Sequence, residues 1–301
     1  MDDFRLNERE CEIRFAEGGP FFFLTLNQLP FLLFENKEEF VEGNNILAIA
    51  AAKANTQILD YSLMNNHFHC ITEGHEEDVN DMVVRIKRML RKYLIRRNKP
   101  LESPLEIRID SIRTLTVFRK IVMYTDRNCY MARRDSTPCG YLWGAGSLFF
   151  NDNLELMVEG TRFNDLFRDE KRIICHSRDI DLPDSYRCFK GMILKTSFVN
   201  YKRTESLFIS ANQYFSMLLR HAESDLEIAK TIGESILLPN EDAFLIVSSW
   251  FPRQKIYSLT VQQRLEAAKR MKRELSSNNK QIAQVLRLPL SSVEELFPVP
   301  H

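Results

Sequence analysis

The chain is predicted to be an α+β protein: a sheet covered by helices through roughly its first half, followed by a region built of helix. Two observations carry this. Strand-like and helical segments alternate in the order β-α-β-β-α-β-α up to about residue 152. Beyond Asn151 the apolar residues recur at helical spacing and strand-like alternation fades.

The elements follow in order. Phe21 to Leu26 is a short, fully apolar run after the break Gly18-Gly19-Pro20, which predicts a buried strand. Glu38 to Ala54 reads as helix, its second half rich in alanine. Thr56 to Met64 leads into a strand pair that ends at Thr72. An acidic stretch, Glu73 to Asp81, opens the next helix, a placement that suits the positive end of a helix dipole. Leu105 to Ile109 alternates like a strand, and Val117 to Arg134 is helical and free of Gly and Pro.

Three regions are expected: residues 1–152, a helical middle region 153–250, and a helical C-terminal module 251–301. In the middle region Arg203 to His221 is a long amphipathic stretch, and Glu241 to Trp250 a further helix. Val261 to Leu275 then precedes a run from Ser276 to Leu296 that resembles a helix-turn-helix. Ile282, Ala283 and Leu286 would face inward, the turn would fall near Leu288 to Leu290, and Ser291 would cap the second helix. Glu294 and Glu295 on that second helix would repel phosphate, so contact with DNA and a packing role stay open for it.

Composition sets outer bounds. A hydrophobic share of 44% with 27% charged residues is that of an ordinary globular protein, and no apolar run is long enough to span a membrane. The start, Met1-Asp2-Asp3-Phe4-Arg5, lacks the basic-then-apolar pattern of a secretory signal. Six cysteines without a Cys-x-x-Cys pair read as reduced thiols. The expected location is the cytoplasm, of bacterial type and nucleoid-associated.

Formal net charge is zero, but the charge is unevenly spread. Val83 to Lys99 holds eight basic residues and no acidic one. Ile86, Met89, Leu90 and Tyr93 form an apolar stripe along it, so one face is buried and the other cationic. Arg85, Lys87, Arg88, Arg91, Lys92, Arg96 and Arg97 are the expected contacts to a nucleic-acid backbone, next to a phosphodiester site.

That site begins with His67-Phe68-His69. Two histidines at i and i+2 leave a strand on the same face, while Phe68 and Cys70 point into a core. A metal ion could sit between the imidazoles, with further ligands from elsewhere. Downstream, Tyr124 and Asn128 stand at i and i+4 and share a helical face. Laid across the sheet, that helix could bring the Asn128 amide oxygen to the metal as third ligand, and the Tyr124 phenol as nucleophile. A phenol needs a nearby cation or base to attack, because its ordinary pKa is about 10.

Three stretches together resemble the single-tyrosine HUH transposases, the group that includes the REP-associated tyrosine transposases. They are Met64-Asn65-Asn66-His67-Phe68-His69, Tyr124-Thr125-Asp126-Arg127-Asn128-Cys129 and Tyr141-Leu142-Trp143-Gly144-Ala145-Gly146. In that family the first reads Met-Pro-Asn-His-hydrophobic-His, the second Tyr-Ile-x-x-Asn-Pro, and the third is Trp-Ser-Ser-Tyr-like. Asn65 and Cys129 stand where the family has proline, which marks a divergent branch. The resemblance covers about the first 150 residues and implies a ferredoxin-like antiparallel sheet with helices, the HUH nuclease core. It also implies Tyr124 as the catalytic nucleophile, and His67, His69 and Asn128 as ligands of a divalent metal, Mg²⁺ or Mn²⁺. The implied partner is single-stranded or hairpin DNA, cut to leave a 5′-phosphotyrosine and a free 3′-hydroxyl and then rejoined. Both a homodimer and a monomer occur in the family.

Three functions compete at this stage. The first is a transposase, a metal-dependent DNA strand transferase. The second is a catalytically inactive, domesticated DNA-binding or regulatory descendant, suggested by the altered motifs and neutral charge. The third, an unrelated histidine-metal hydrolase, lacks a third histidine near the pair or a His-x-x-x-His partner.

Overall fold

The computed structural model describes residues 6–27, 29, 31–99, 105–132, 137–154, 159–219, 240–252, 254–275 and 277–298; for 129–132 and 241–242 it describes backbone only. The side chains of Cys129 and Tyr130, together with Ser276, Arg220 and His221, thus lie outside the described residues.

The first part runs α1 (Glu8–Glu17), β1 (Phe21–Leu26), α2 (Lys37–Lys53), β2 (Gln57–Leu63), β3 (Phe68–Glu73), α3 (Glu76–Arg96), β4 (Ile107–Ile112) and α4 (Leu115–Ala132). The four strands form one antiparallel sheet in the order β2-β3-β1-β4. Splitting β1 from β2 by inserting β3 is what a β-α-β-β-α-β chain does when both crossovers run over the sheet. Against expectation the fourth strand begins at Ile107, two residues later, and extends to Ile112.

Register decides which side chains share a face. Thr25 of β1 and Ser62 of β2 stand opposite His69, while Leu24 and Tyr61 stand opposite Cys70. The Cys70 face meets α2, where the Tyr61 hydroxyl donates to Asn44 Oδ1 at 2.7 Å. The His69 face meets α1 and α4: Phe15 stacks on Phe21 at 4.6 Å, and Phe118 meets Phe21 edge-on at 5.5 Å. Asn36 caps α2 by accepting from the Glu39 amide, and Glu76, Glu77 and Asp78 open α3 as expected.

The third motif has a structural task. Leu63 N donates to Trp143 O at 2.8 Å and Ala145 N to Tyr61 O at 3.0 Å, so residues 143–145 run along the open edge of β2. A Cβ on Gly144 would come within 3.2 Å of Tyr61 O, which is why a glycine suits this approach. Trp143 meanwhile stacks on Phe40 at 4.9 Å.

The middle region is not all helix. Thr161–Arg162, Arg187–Phe189 and Met192–Ile193 form a second antiparallel sheet, β5-β6-β7. Its hairpin turns on Lys190 and Gly191, both at positive φ (48° and 79°), the requirement of a tight two-residue connection. Strands of two or three residues are too short to show period-two alternation, so helical spacing elsewhere hides them. Helices α5 (Arg168–Cys175), α6 (Lys195–Phe198) and α7 (Tyr201–Glu205) surround them. The predicted continuous stretch from Arg203 is broken after Glu205. The chain turns at 206–209, and Ser210 caps a new helix, α8 (211–219), by accepting from Gln213 N at 3.3 Å. Packing is continuous across Asp152, because Phe163, Phe198, Leu207 and Tyr214 belong to the same core as the sheet.

The last helices are α9 (Asn240–Ser249), α10 (Val261–Glu274), α11 (Asn279–Leu286) and α12 (Leu290–Leu296). They enclose a smaller core that includes Ile282, Ala283, Leu286 and, from the first part, Leu32. Arg287, in the left-handed conformation, ends α11. Pro289, not Ser291, occupies the N-cap of α12, so the helix starts two residues earlier than a serine cap would start it. Glu294 and Glu295 are exposed. Among the described residues no helix is long and apolar enough to cross a membrane.

Two carboxyls lie fully buried between α4 and β2. Asp126 is pushed up to about 7, chiefly by burial, although Tyr214 donates to its Oδ2 at 2.6 Å and Lys195 lies nearby. Burial and the Asp126 charge hold Asp60 well above the usual range. The unfolded chain sheds the Asp126 proton near 3.8, whereas the fold keeps it to about 7. This stabilisation is therefore complete below pH 3.8 and fades as the pH rises to about 7. Asp126→Asn keeps an acceptor for Tyr214, so its urea stability relative to wild type should improve by ~1–4 kcal/mol between pH 5 and pH 8. Parallel pH profiles for the two proteins would remove Asp126 as the titrating group.

Candidate metal and nucleophile site

His67 stands one residue before β3, in the turn that Met64 N closes by donating to His67 O at 2.9 Å. His69 is the second residue of the strand. The two rings lie 5.0 Å apart, nearly perpendicular. Tyr124, one turn before Asn128 on α4, brings its ring to 5.0 Å from His69. Phe23 completes the wall by stacking on His69 at 5.6 Å. Three residues named from sequence thus meet at one place on the sheet.

The local bonding sets the state of each imidazole. Asn66 Nδ2 donates to Leu29 O at 3.2 Å, so its Oδ1, 2.8 Å from His67 Nδ1, accepts from that nitrogen. The proton is thereby placed on Nδ1 and the Nε2 lone pair is left available, which is how an outer partner orients a ligating histidine. His69 is only 2% exposed, and neither ring nitrogen has a hydrogen-bond partner among the described residues. Two unmet buried nitrogens cost about 1–3 kcal/mol each, a debt that a bound cation or water would cancel. Burial pushes His67 down to about 4 and His69 to about 3, with a further push on His67 from Lys280 and on His69 from His67. Both are neutral at pH 7, the form that binds metal.

Tyr124 is 51% exposed. Asn128 is buried, and its Nδ2 donates to Tyr124 O at 2.7 Å. Tyr93 is no rival nucleophile: its hydroxyl donates to Leu33 O at 2.6 Å and burial drives its acidity down. Among the described residues no group of three or more His, Cys, Asp and Glu side chains could hold a metal.

The basic helix lies elsewhere. Helix α3 packs along α2, on the Cys70 face of the sheet, and not beside the histidines as expected. Its amphipathic pattern names a buried stripe but not which sheet face that stripe covers. Arg85 pairs with Asp81 at 2.7 Å, Arg97 with Glu42 at 3.2 Å, and Arg96 also contacts Glu42. Lys87 is half-buried, whereas Arg88, Arg91 and Lys92 are exposed.

Sequence reasoning missed Lys280. Its charge reaches His67 because the C-terminal helices dock on the loop behind the histidine turn. Leu32 of that loop enters their core, Arg287 contacts Glu35, and the same loop bonds the turn through Leu29–Asn66 at 3.0 Å and Phe34–Asn65 at 2.9 Å. No local pattern around Lys280 announces this contact.

Fold and site together define an α+β protein with a buried imidazole pair facing a helix-borne phenol. No protein-family model matches the chain, and no curated protein matches it. A solved structure of the REP-associated tyrosine transposase bound to a REP hairpin aligns with 42% of this chain and 77% of that one, at 16% identity and a TM-score of 0.34.

Proposed function

We propose that the protein cuts and rejoins DNA strands through Tyr124, with His67, His69 and Asn128 holding a divalent cation, Mg²⁺ or Mn²⁺. The supporting observation is the meeting of the two imidazoles and the phenol within 5.0 Å steps of one another. Two separate sequence signals, the His-x-His strand and the tyrosine helix, converge there. The donor set fits a cation, since both rings are neutral and the His69 ring nitrogens have no hydrogen-bond partner among the described residues. When bound, the cation would polarise the scissile phosphate and favour the phenolate.

The chain's own residues do the rest. Tyr124 Oη forms a bond to phosphorus and the bond from phosphorus to the 3′-oxygen breaks, leaving a 5′-phosphotyrosine and a 3′-hydroxyl. The phenol proton passes to solvent on the open side of the ring, and the leaving oxygen takes one up. Another 3′-hydroxyl reverses the step, so no nucleotide cofactor is consumed. His67 and His69 are fixed by Asn66 and Phe23, and Lys280 contributes positive charge at His67. Arg88, Arg91 and Lys92 on the far face would hold a more distant part of the same DNA. A labelled DNA hairpin incubated with the protein and Mn²⁺ should yield an adduct that survives denaturation.

The cation site has its own test. His67→Ala and His69→Ala should each lower Mn²⁺ affinity at least about tenfold, the loss expected for one ligand. Stability should change little in His69→Ala, because lost packing on Phe23 is offset by removing two unmet ring nitrogens. Calorimetry showing unchanged Mn²⁺ affinity in both variants would sink the site.

A further inference from the structure

The solvent face of α4 leads to Tyr124 and sets apolar side chains beside cations. Val117, Ile121 and Tyr124 stand at i, i+4 and i+7, so they form one stripe along the helix. Val117 is 43% exposed, Ile121 is half-buried, and Tyr124 ends the stripe with its ring 5.0 Å from His69. From Val117 to Tyr124 the stripe runs about 10 Å along the helix axis.

The charge on this face is of one sign. Lys120 is exposed on the helix between Val117 and Tyr124, and Arg113 is exposed in the turn that leads into it. Neither has an acidic partner among the described residues. The one acid of α4, Asp126, is buried and accepts from Tyr214 at 2.6 Å. Two acids of neighbouring elements are engaged: Glu8 pairs with Arg119 at 2.7 Å, and Asp110 with Arg108 at 2.7 Å.

We propose that this face is the track for single-stranded DNA entering the site, with bases against Val117 and Ile121 and backbone phosphates against Lys120 and Arg113. The inference rests on Tyr124 as the nucleophile and names the surface that delivers the strand to it. Cations alone would suit any polyanion. An apolar stripe beside them suits bare bases, whose faces a duplex keeps stacked inside. The stripe accepts about three stacked nucleotides, at ~3.4 Å each. Three apolar side chains are too few for the core of a stable protein interface.

Fluorescence anisotropy on the full chain tests this, using a short labelled single strand and an abasic strand of equal length, with no divalent cation present. The ordinary strand should bind wild type about fivefold tighter than the abasic one, or more. Lys120→Gln with Arg113→Gln should weaken both strands at least about tenfold and lower the log-log salt slope by about 1.4, two contacts at ~0.7 each. Val117→Ser should weaken the ordinary strand about fivefold and leave the abasic strand unchanged, a split that misfolding would not produce. Arg88→Gln with Lys92→Gln, on the far face, should leave the short strand unaffected. Strand affinity that survives the Lys120 and Arg113 changes, or that falls only in the α3 variant, overturns the inference. So does a Val117→Ser effect that is absent or equal on both strands. Self-association that Val117→Ser abolishes while strand binding persists would assign the face to a second copy instead. Binding is read without cleavage, so the two readings fail separately. A Tyr124 adduct in a protein whose strand binding ignores these variants refutes the track alone; a working track in a wild type that forms no adduct refutes the nucleophile alone.

Discussion

Tyr124→Phe is expected to abolish adduct formation while leaving the fold and DNA binding intact. The substitution removes one oxygen. The ring keeps its edge-on contacts to His69 at 5.0 Å and Phe23 at 6.2 Å, and the residue is 51% exposed, so little packing is at stake. The rate of strand release should fall by roughly three orders of magnitude or more, as when a nucleophile is removed from a site whose binding survives. Asn128→Ala should behave differently. It removes one proposed ligand of three, so a weaker activity should remain and rise with added Mn²⁺. Retention of the adduct in Tyr124→Phe would move the chemistry to another residue, Tyr130 first. A wild type that forms none, supplied with Mn²⁺ and hairpin, would identify a binding protein that has lost catalysis.

What could be read in the sequence was what repeats at short range. His67 and His69 share a strand face by the two-residue period, and Tyr124 and Asn128 a helical face by the i, i+4 relation; both relations survive folding because they are local. The four long strands and α2 to α4 were visible for the same reason. The small sheet at 161–193 was not, since its strands are too short to show a period; the Lys190-Gly191 pair was its best local sign. Nor was the side of the sheet that α3 covers. An apolar stripe says that Ile86 and Leu90 are buried, and both faces of this sheet are apolar enough to receive them. Contacts over long separations were hidden most completely. Arg287 and Glu35 are 252 residues apart, and Lys280 reaches His67 only because they meet.

Lys99 shows how misleading a charge run can be. It closes the basic stretch after α3, yet it is 4% exposed and faces inward. Its Nζ donates to Glu39 Oε2 at 2.5 Å and Leu33 O at 2.9 Å, and lies 3.4 Å from Glu35. Glu39 Oε2 also accepts from Glu35 N at 2.8 Å and lies 2.9 Å from the Tyr93 hydroxyl oxygen. Lys99→Met preserves volume but leaves Glu39 buried without its cation, so unfolding in urea should show a loss of about 3–5 kcal/mol. Adding Glu39→Gln removes the stranded charge and should recover much of that loss, a coupling measurable by a double-mutant cycle. The damage should also travel. The loop from Leu29 to Glu35 both receives these bonds and braces Asn65 and Asn66 behind His67, so Lys99→Met should weaken Mn²⁺ binding although it touches no ligand. A variant as stable as wild type would mean that the Lys99–Glu39 pair adds no net stability, and the brace would then hold by packing alone.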